Sequence, residues 1–154
     1  RETEKAAMSD ANASGPIYTT RMIVRTYEVD GFLHVNNAIF AQYFEAARGD
    51  LIRALGLGYA KFHDWSAAPV VTHLVIDYVA AARADDELVI ALTLAELKRT
   101  LFTIEYDVRR ASDDSPIVTG LTRHAFTDPE GRVVRVPNEF RVAVERLQKA
   151  RNPQ

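Results

Sequence analysis

In the stretch YEVDGFLHVNNAIFAQYFEAAR, from Tyr27 to Arg48, a carboxylate, an imidazole and two carboxamides stand just ahead of an amphipathic run. These groups belong to Asp30, His34, Asn36 and Asn37. If the run is a helix, its first turn leaves N–H groups without intrahelical partners and carries a partial positive charge. A carboxylate beside it is held as the anion, and an acyl carbonyl brought there meets backbone donors for a developing oxyanion. Asp30 would then be nucleophile or general base, with the first helical N–H as its electrophilic aid, a plausible set for acyl transfer. A purely structural account covers the same residues: an Asp before a helix offsets the dipole, and Asn at a helix start caps it. The residues alone leave both accounts open.

His34 poses a similar choice between a base or leaving-group ligand, with an ordinary pKa near neutrality, and a hydrogen-bonding strut, the more common use. His63, His73 and His124 fall in different segments without a metal-ligand spacing such as H-E-x-x-H, so no metal is expected. Glu45 and Arg48, three apart, suit a surface or subunit-interface ion pair, and Glu45 also stays open as a second helix carboxylate able to act as a base. Lys98, Arg99 and Thr100, in LKRT, offer two cations and a hydroxyl that could hold the phosphates of a nucleotide-bearing substrate, but a solvated turn is the simpler account and the one the residues alone favour. No G-x-G-x-x-G, P-loop or G-x-S-x-G pattern occurs, which removes most support for nucleotide or serine hydrolysis.

The elements that would position these groups follow from periodicity. Ile17 to Val29 is β-branched, aromatic and roughly alternating, which predicts a first strand. Asn36 or Asn37 then caps a helix over 37–55, in which Phe40, Phe44, Ala47, Leu51 and Leu55 share a face. Gly56 and Gly58 stop it. Residues 59–68 read as a loop or short helix. Strands follow over 69–80, 86–97, 100–110 and 115–128, with a short one at Val133–Val136, joined by polar turns. Pro137 and Asn138 open a second amphipathic helix with Phe140, Val144 and Leu147 inside. The class is α+β, an antiparallel sheet laid on a long helix. Such a sheet keeps an edge to protect, so dimerisation is expected.

The chain of 154 residues suits one domain, over 16–150, and its 47% apolar content can fill one core. A net charge of −2 without a basic block argues against nucleic acid as partner. With no cysteine, disulfides, thiol nucleophiles and thiolate metal sites are excluded. No apolar run nears the roughly 20 residues that span a bilayer, so no membrane is expected. The start, RETEKAAMSDANASGP, is polar and lacks the apolar centre of a signal peptide. It reads as a disordered lead-in over 1–15 of a cytoplasmic protein, with Met8 a candidate native start.

The order of elements and the opening stretch together resemble the hot-dog-fold thioesterases of the 4-hydroxybenzoyl-CoA thioesterase and short acyl-CoA thioesterase type. Their signature runs D-x-x-G-H-V-N-N-x-x-Y-x-x-Y-F-E-x-A-R. Here it reads Asp30, His34, Val35, Asn36 and Asn37, then Phe40, Tyr43, Phe44, Glu45, Ala47 and Arg48. The likeness extends over about 18–147 and includes PVVTHLVIDYVAAARADDEL and TGLTRHAFTD…GRVVRVP. It implies a sheet wrapped around a central helix and hydrolysis of an acyl-CoA thioester, with coenzyme A as part of the substrate and no other cofactor. It makes Asp30 the catalytic carboxylate and Asn37 the backbone donor, with His34 and Asn36 lining the mouth. It also implies a homodimer or homotetramer with sites between subunits, where Val70 and Val71 approach from the partner. Lys98, Arg99 and Thr100 fall where relatives meet the nucleotide end of coenzyme A. Related readings are an acyl-carrier-protein thioesterase and a non-catalytic acyl-CoA-binding module. The chain departs from the signature at Leu33, where the family has Gly, and a positive φ is expected to pass to Gly31. Phe40 stands where Tyr is usual.

Overall fold

A computed structural model describes residues 15–151. All of the expected lead-in except Gly15 lies outside the described residues. Phe40, Tyr43, Phe44, Ala47, Leu51 and Ile52 recur at helical spacing and are buried along one side of α1, Ile39–Ala54. With 1.5 Å per residue, α1 is about 24 Å long, enough to run along most of a sheet. It ends in a Schellman arrangement: Leu57 N–H donates to Ile52 O, Gly56 N–H to Arg53 O, and Gly56 has φ 74°.

The sheet is antiparallel and five-stranded, built from β1 (Tyr18–Ile23), β2 (Ala68–Tyr78), β3 (Glu87–Leu97), β4 (Leu101–Arg110) and β5 (Pro116–Thr127). The spatial order is β1-β3-β4-β5-β2. The last three strands in sequence form a meander, and α1 carries the chain across the sheet face, so β1 and β2 end on opposite edges. Alternation does the burying: Leu88, Ile90 and Leu92 of β3, Phe102, Ile104, Tyr106 and Val108 of β4, and Thr122, His124 and Phe126 of β5 are buried. Phe44 stacks on Tyr106 with ring centroids 4.0 Å apart. This contact requires Gly120, where a Cβ would meet Val75 O at 2.5 Å and the Phe44 ring at 2.7 Å. A short helix, α2 (Ala60–Asp64), and a C-terminal helix, α3 (Asn138–Arg151), close one end, with Phe140 packed on Phe102 and Phe126. This is the α+β hot-dog arrangement expected from the sequence.

Three local expectations are corrected. The first strand stops at Ile23, and Thr26–Glu28 forms a short 3-10 turn, because the Glu28 carboxylate accepts Arg25 N–H at 2.8 Å and bends the chain. Val133–Val136 is no strand: Val133 makes an isolated bridge to Thr127, while Val134 and Val136 donate to Phe126 O and Arg99 O. Each N–H finds a different partner element, so no ladder forms. The long helix begins at Ile39, and Ala38 occupies the cap position that Asn36 or Asn37 was expected to fill.

Candidate active site

The Asp30 loop is a tight hairpin whose geometry is set by backbone hydrogen bonds. Val29 and Val35 pair as an antiparallel bridge. Asp30 N–H donates to His34 O at 2.8 Å, and Leu33 N–H donates back to Asp30 O at 2.9 Å. A three-residue connection of this kind needs its last residue in the left-handed region. That residue is Leu33, with φ 62°. Gly31 is not among the positive-φ residues, so the expected transfer of the strained position to Gly31 is wrong. The hairpin register, fixed by the Val29–Val35 pair, puts the left-handed residue at 33 whatever its type.

Within this loop Phe32 N–H donates to Asp30 Oδ1 at 2.9 Å, which pins the carboxylate. Oδ2 has no partner among the described residues, so one carboxylate oxygen orients and the other is available. His34 is half-buried, and its carbonyl closes the hairpin. Its imidazole makes no hydrogen bond among the described residues.

Asn36 joins hairpin to helix. Its N–H donates to Glu28 O at 2.9 Å, its carbonyl accepts Ile39 N–H at 2.9 Å, and its Oδ1 accepts Ala38 N–H at 2.9 Å. Asn36 therefore caps the turn that leads into α1. The carbonyl of Asn37 is held by the Tyr78 hydroxyl at 2.9 Å, from the end of β2. Both ends of the 37–38 peptide are thus engaged. In the 36–37 peptide only the carbonyl is bonded, toward the helix. A trans peptide sets N–H opposite to C=O, so Asn37 N–H points away from the helix, and it has no acceptor among the described residues. Asp30 stands two residues along the hairpin arm from Glu28, the partner of Asn36, or about 7 Å of extended backbone. The hairpin therefore sets His34 opposite Asp30 and Asn36 opposite Glu28, with Asn37 following at the approach to α1.

Glu28 underlies this hairpin, and the sequence reading missed it. It is 7% exposed and accepts from Arg25 N–H, from the Arg25 guanidinium at 3.3 Å and from Tyr43 Oη at 2.6 Å. Burial and the Glu28 carboxylate both push the Tyr43 phenol pKa upward, so it stays a donor. A carboxylate two places before Asp30 was the available signal. Tyr27, Phe32 and Leu33 surround the loop and are exposed, an apolar rim at a polar mouth.

The remaining candidates lie elsewhere. Val70 and Val71 open β2, and register places them beside Ala125 and His124, at the end of the sheet opposite Tyr78. Lys98, Arg99 and Thr100 form the β3–β4 turn at that same far end, next to Phe102 and Phe126. Lys98 pairs with Glu96. Lys98 O, Arg99 O and Thr100 O accept from Arg141, Val136 and Phe126, so the turn is fixed while Lys98 and Arg99 stay exposed.

A cavity of about 440 Å³ also occupies this far end, under the C-terminal half of α1. Leu51, Ile52, Phe102, Ile104 and Val71 give it apolar walls, into which Arg48 and His124 also face. The expected Glu45–Arg48 pair is present at 2.9 Å, but it is no simple surface pair: the Arg48 side chain is 15% exposed and also donates to Tyr106 Oη at 3.1 Å. Cavity and Asp30 mouth thus sit at opposite ends of one helix within the chain. Among the described residues no three His, Asp or Glu side chains gather as metal ligands, and no helix is long and apolar enough to cross a membrane.

Comparison with known proteins bears on this arrangement. Residues 24–144 match the family described as the thioesterase-like superfamily. A protein of Aquifex aeolicus named "Putative esterase" is 32% identical over 123 residues, covering 80% of this chain and 92% of that protein. A chloroplastic acyl-acyl carrier protein thioesterase of Arabidopsis thaliana is 23% identical over 77% of this chain and 62% of its own length. The crystal structure of a 1,4-dihydroxy-2-naphthoyl-CoA thioesterase from Synechocystis superposes with a TM-score of 0.77, at 22% identity, over 82% of this chain and 94% of that one. On the family match and the fold together, the chain belongs to the thioesterase-like superfamily, the hot-dog thioester hydrolases.

Proposed function

We propose that this protein hydrolyses an acyl-CoA thioester to a carboxylic acid and free coenzyme A, with Asp30 as nucleophile or general base and Asn37 N–H as oxyanion donor. What supports the reading is the Asn37 N–H, which has no acceptor among the described residues and follows the hairpin arm paired with the one that carries Asp30, whose carboxylate keeps one oxygen free. A donor fixed before the reaction needs no reorganisation when the carbonyl oxygen gains charge. In the nucleophilic route Asp30 Oδ2 attacks the carbonyl carbon and the C–S bond breaks. Coenzyme A leaves as the thiolate, and water then opens the mixed anhydride. In the general-base route Asp30 takes a proton from the water that attacks. Both routes use the same two groups.

The active unit in this reading is a dimer, or a tetramer built from such dimers, joined through β2. That strand lies at a sheet edge, and Val70 to Leu74 are exposed. A long apolar edge calls for cover. Antiparallel pairing of two copies about an axis near Leu74 sets Val70 and Val71 of one against Asp77 and Tyr78 of the other. The cavity and the Lys98–Thr100 turn of one subunit then meet the Asp30 mouth of its partner. The acyl group enters the cavity, and the Lys98 and Arg99 cations face the phosphates of coenzyme A. The apolar rim of Tyr27, Phe32 and Leu33 supports this closure.

Release of free thiol from short, long, branched and aromatic acyl-CoAs, each compared with the same acyl group on carrier protein, tests the reading. Turnover with coenzyme A substrates is expected. Faster turnover on carrier protein favours that substrate arm instead. Saturable acyl-CoA binding in calorimetry without thiol release contradicts catalysis and marks a binding module.

A further inference from the structure

Hydrolysis at Asp30 makes no use of the His124 imidazole in the cavity wall. His124 projects from β5 toward α1 and is 3% exposed. Its ring lies on Phe102, centroids 4.6 Å apart and nearly parallel, and its Nε2 is 2.8 Å from Thr122 Oγ1. Thr122 Oγ1 is in turn 2.8 Å from the Tyr106 hydroxyl, which accepts from Arg48 Nη1.

The direction of this chain follows from Arg48, which can only donate. Tyr106 oxygen accepts from it, and the phenolic proton then needs an acceptor, which Thr122 Oγ1 provides. Thr122 gives its own proton to His124 Nε2, so Nε2 is the unprotonated ring nitrogen. The reverse direction would strand the proton of Tyr106, 2% exposed, without an acceptor among the described residues, a costly state for a buried donor. Burial first, and then the Arg48 cation, hold the imidazole neutral by lowering its pKa to about 3. The ring proton is therefore on Nδ1. That atom has no partner among the described residues, and His124 lines the cavity.

We propose that the cavity selects acyl groups carrying a neutral acceptor oxygen remote from the thioester, and that His124 Nδ1–H donates to it. This rests on the reading of the cavity as the acyl site of a thioester hydrolase. The oxygen is a ketone, hydroxyl or ether rather than a carboxylate, because Glu45 already neutralises Arg48. An unsubstituted hydrocarbon chain would fill the apolar walls but leave Nδ1–H desolvated and unpaired.

Nitrogen-15 NMR of histidine-labelled protein, with the His124 signals assigned through His124→Gln, reads the tautomer without any substrate. Protonated Nδ1 with unprotonated Nε2 is expected, and the opposite tautomer overturns the proposal. Thr122→Val cuts the relay and is expected to shift the ring toward Nε2–H; an unchanged ring contradicts the relay. The kcat/KM of octanoyl-CoA is then compared with that of a series of oxo-octanoyl-CoAs in which the ketone moves along the chain. The best oxo substrate is expected to lead by roughly three- to tenfold, with the ratio near one in His124→Leu. A wild-type ratio of one, or a preference that survives in His124→Leu, contradicts the proposal. Absence of hydrolysis of every acyl-CoA would count against the thioesterase reading instead, while the NMR result still decides whether the donor exists.

Discussion

The hydroxyl of Tyr43 donates to the buried carboxylate of Glu28 at 2.6 Å, and through this contact α1 holds the base of the hairpin that carries Asp30. Glu28 O in turn holds Asn36 N–H, so one residue ties hairpin, cap and helix together. Tyr43→Phe leaves a buried carboxylate short of a donor, at a cost of about 1–3 kcal/mol. At a temperature where the variant is folded, kcat is expected to fall tenfold or more while KM changes little, because Tyr43 aims Asp30 without touching substrate. Urea unfolding and steady-state kinetics read the two effects separately. Wild-type kcat in a destabilised variant would show that the contact serves stability alone.

Leu33 holds a left-handed conformation at φ 62°, which costs a residue with a Cβ about 1–2 kcal/mol. Leu33→Gly removes that cost but gives the unfolded chain more freedom, worth roughly 0.4–1 kcal/mol. A net stabilisation of about 0.5–1 kcal/mol is expected from these two terms. Thermal unfolding checks it, with Gly31→Ala as a control at a site where an added Cβ meets nothing within 4 Å. A lower midpoint for Leu33→Gly would mean that the leucine side chain contributes more than its backbone costs.

The acid side of the stability curve carries a signature of His124. Its pKa is depressed from 6.5 to about 3 in the folded protein, by burial and then by Arg48. Between these values the unfolded chain binds a proton that the folded chain does not, so stability falls as pH drops through this window. From pH 7.5 to 5 the loss from this one group is about 2 kcal/mol. Asp128 and Glu139, whose carboxyls are held low mainly by Arg132 and Trp65, add a loss of the same sign at lower pH. Urea midpoints for wild type and His124→Gln isolate the histidine. Parallel pH profiles would mean that His124 is protonated in the folded state.

The elements visible in the sequence were those with a repeating pattern. Phe40, Phe44, Ala47 and Leu51 at helical spacing give α1, and alternation gives β2 to β5 within a residue or two of their ends. The candidate residues Asp30, His34, Asn36 and Asn37 could be picked out in the sequence because residue type and proximity to a helix start are local properties. The features that failed depend on partners distant in sequence. Leu33 is left-handed because Val29 pairs with Val35, and a glycine two places earlier drew the strain to the wrong residue. Glu28 reads as a surface charge until Tyr43 is brought over it. His124 is one more residue in an alternating strand until Thr122, Tyr106 and Arg48 line up behind it. The separation of Val70, Val71 and the Lys98–Thr100 turn from Asp30 follows from strand register, which no local pattern states.

The claim on which the rest depends is that the Asp30 carboxylate performs the hydrolysis. Asp30→Asn keeps a side-chain oxygen able to accept from Phe32 N–H, so the hairpin is expected to fold as before. Free-thiol release from the best acyl-CoA substrate is the measurement. A fall in kcat of about 10²- to 10⁴-fold is predicted, with KM nearly unchanged. Turnover by Asp30→Asn within a few-fold of wild type would contradict the assignment.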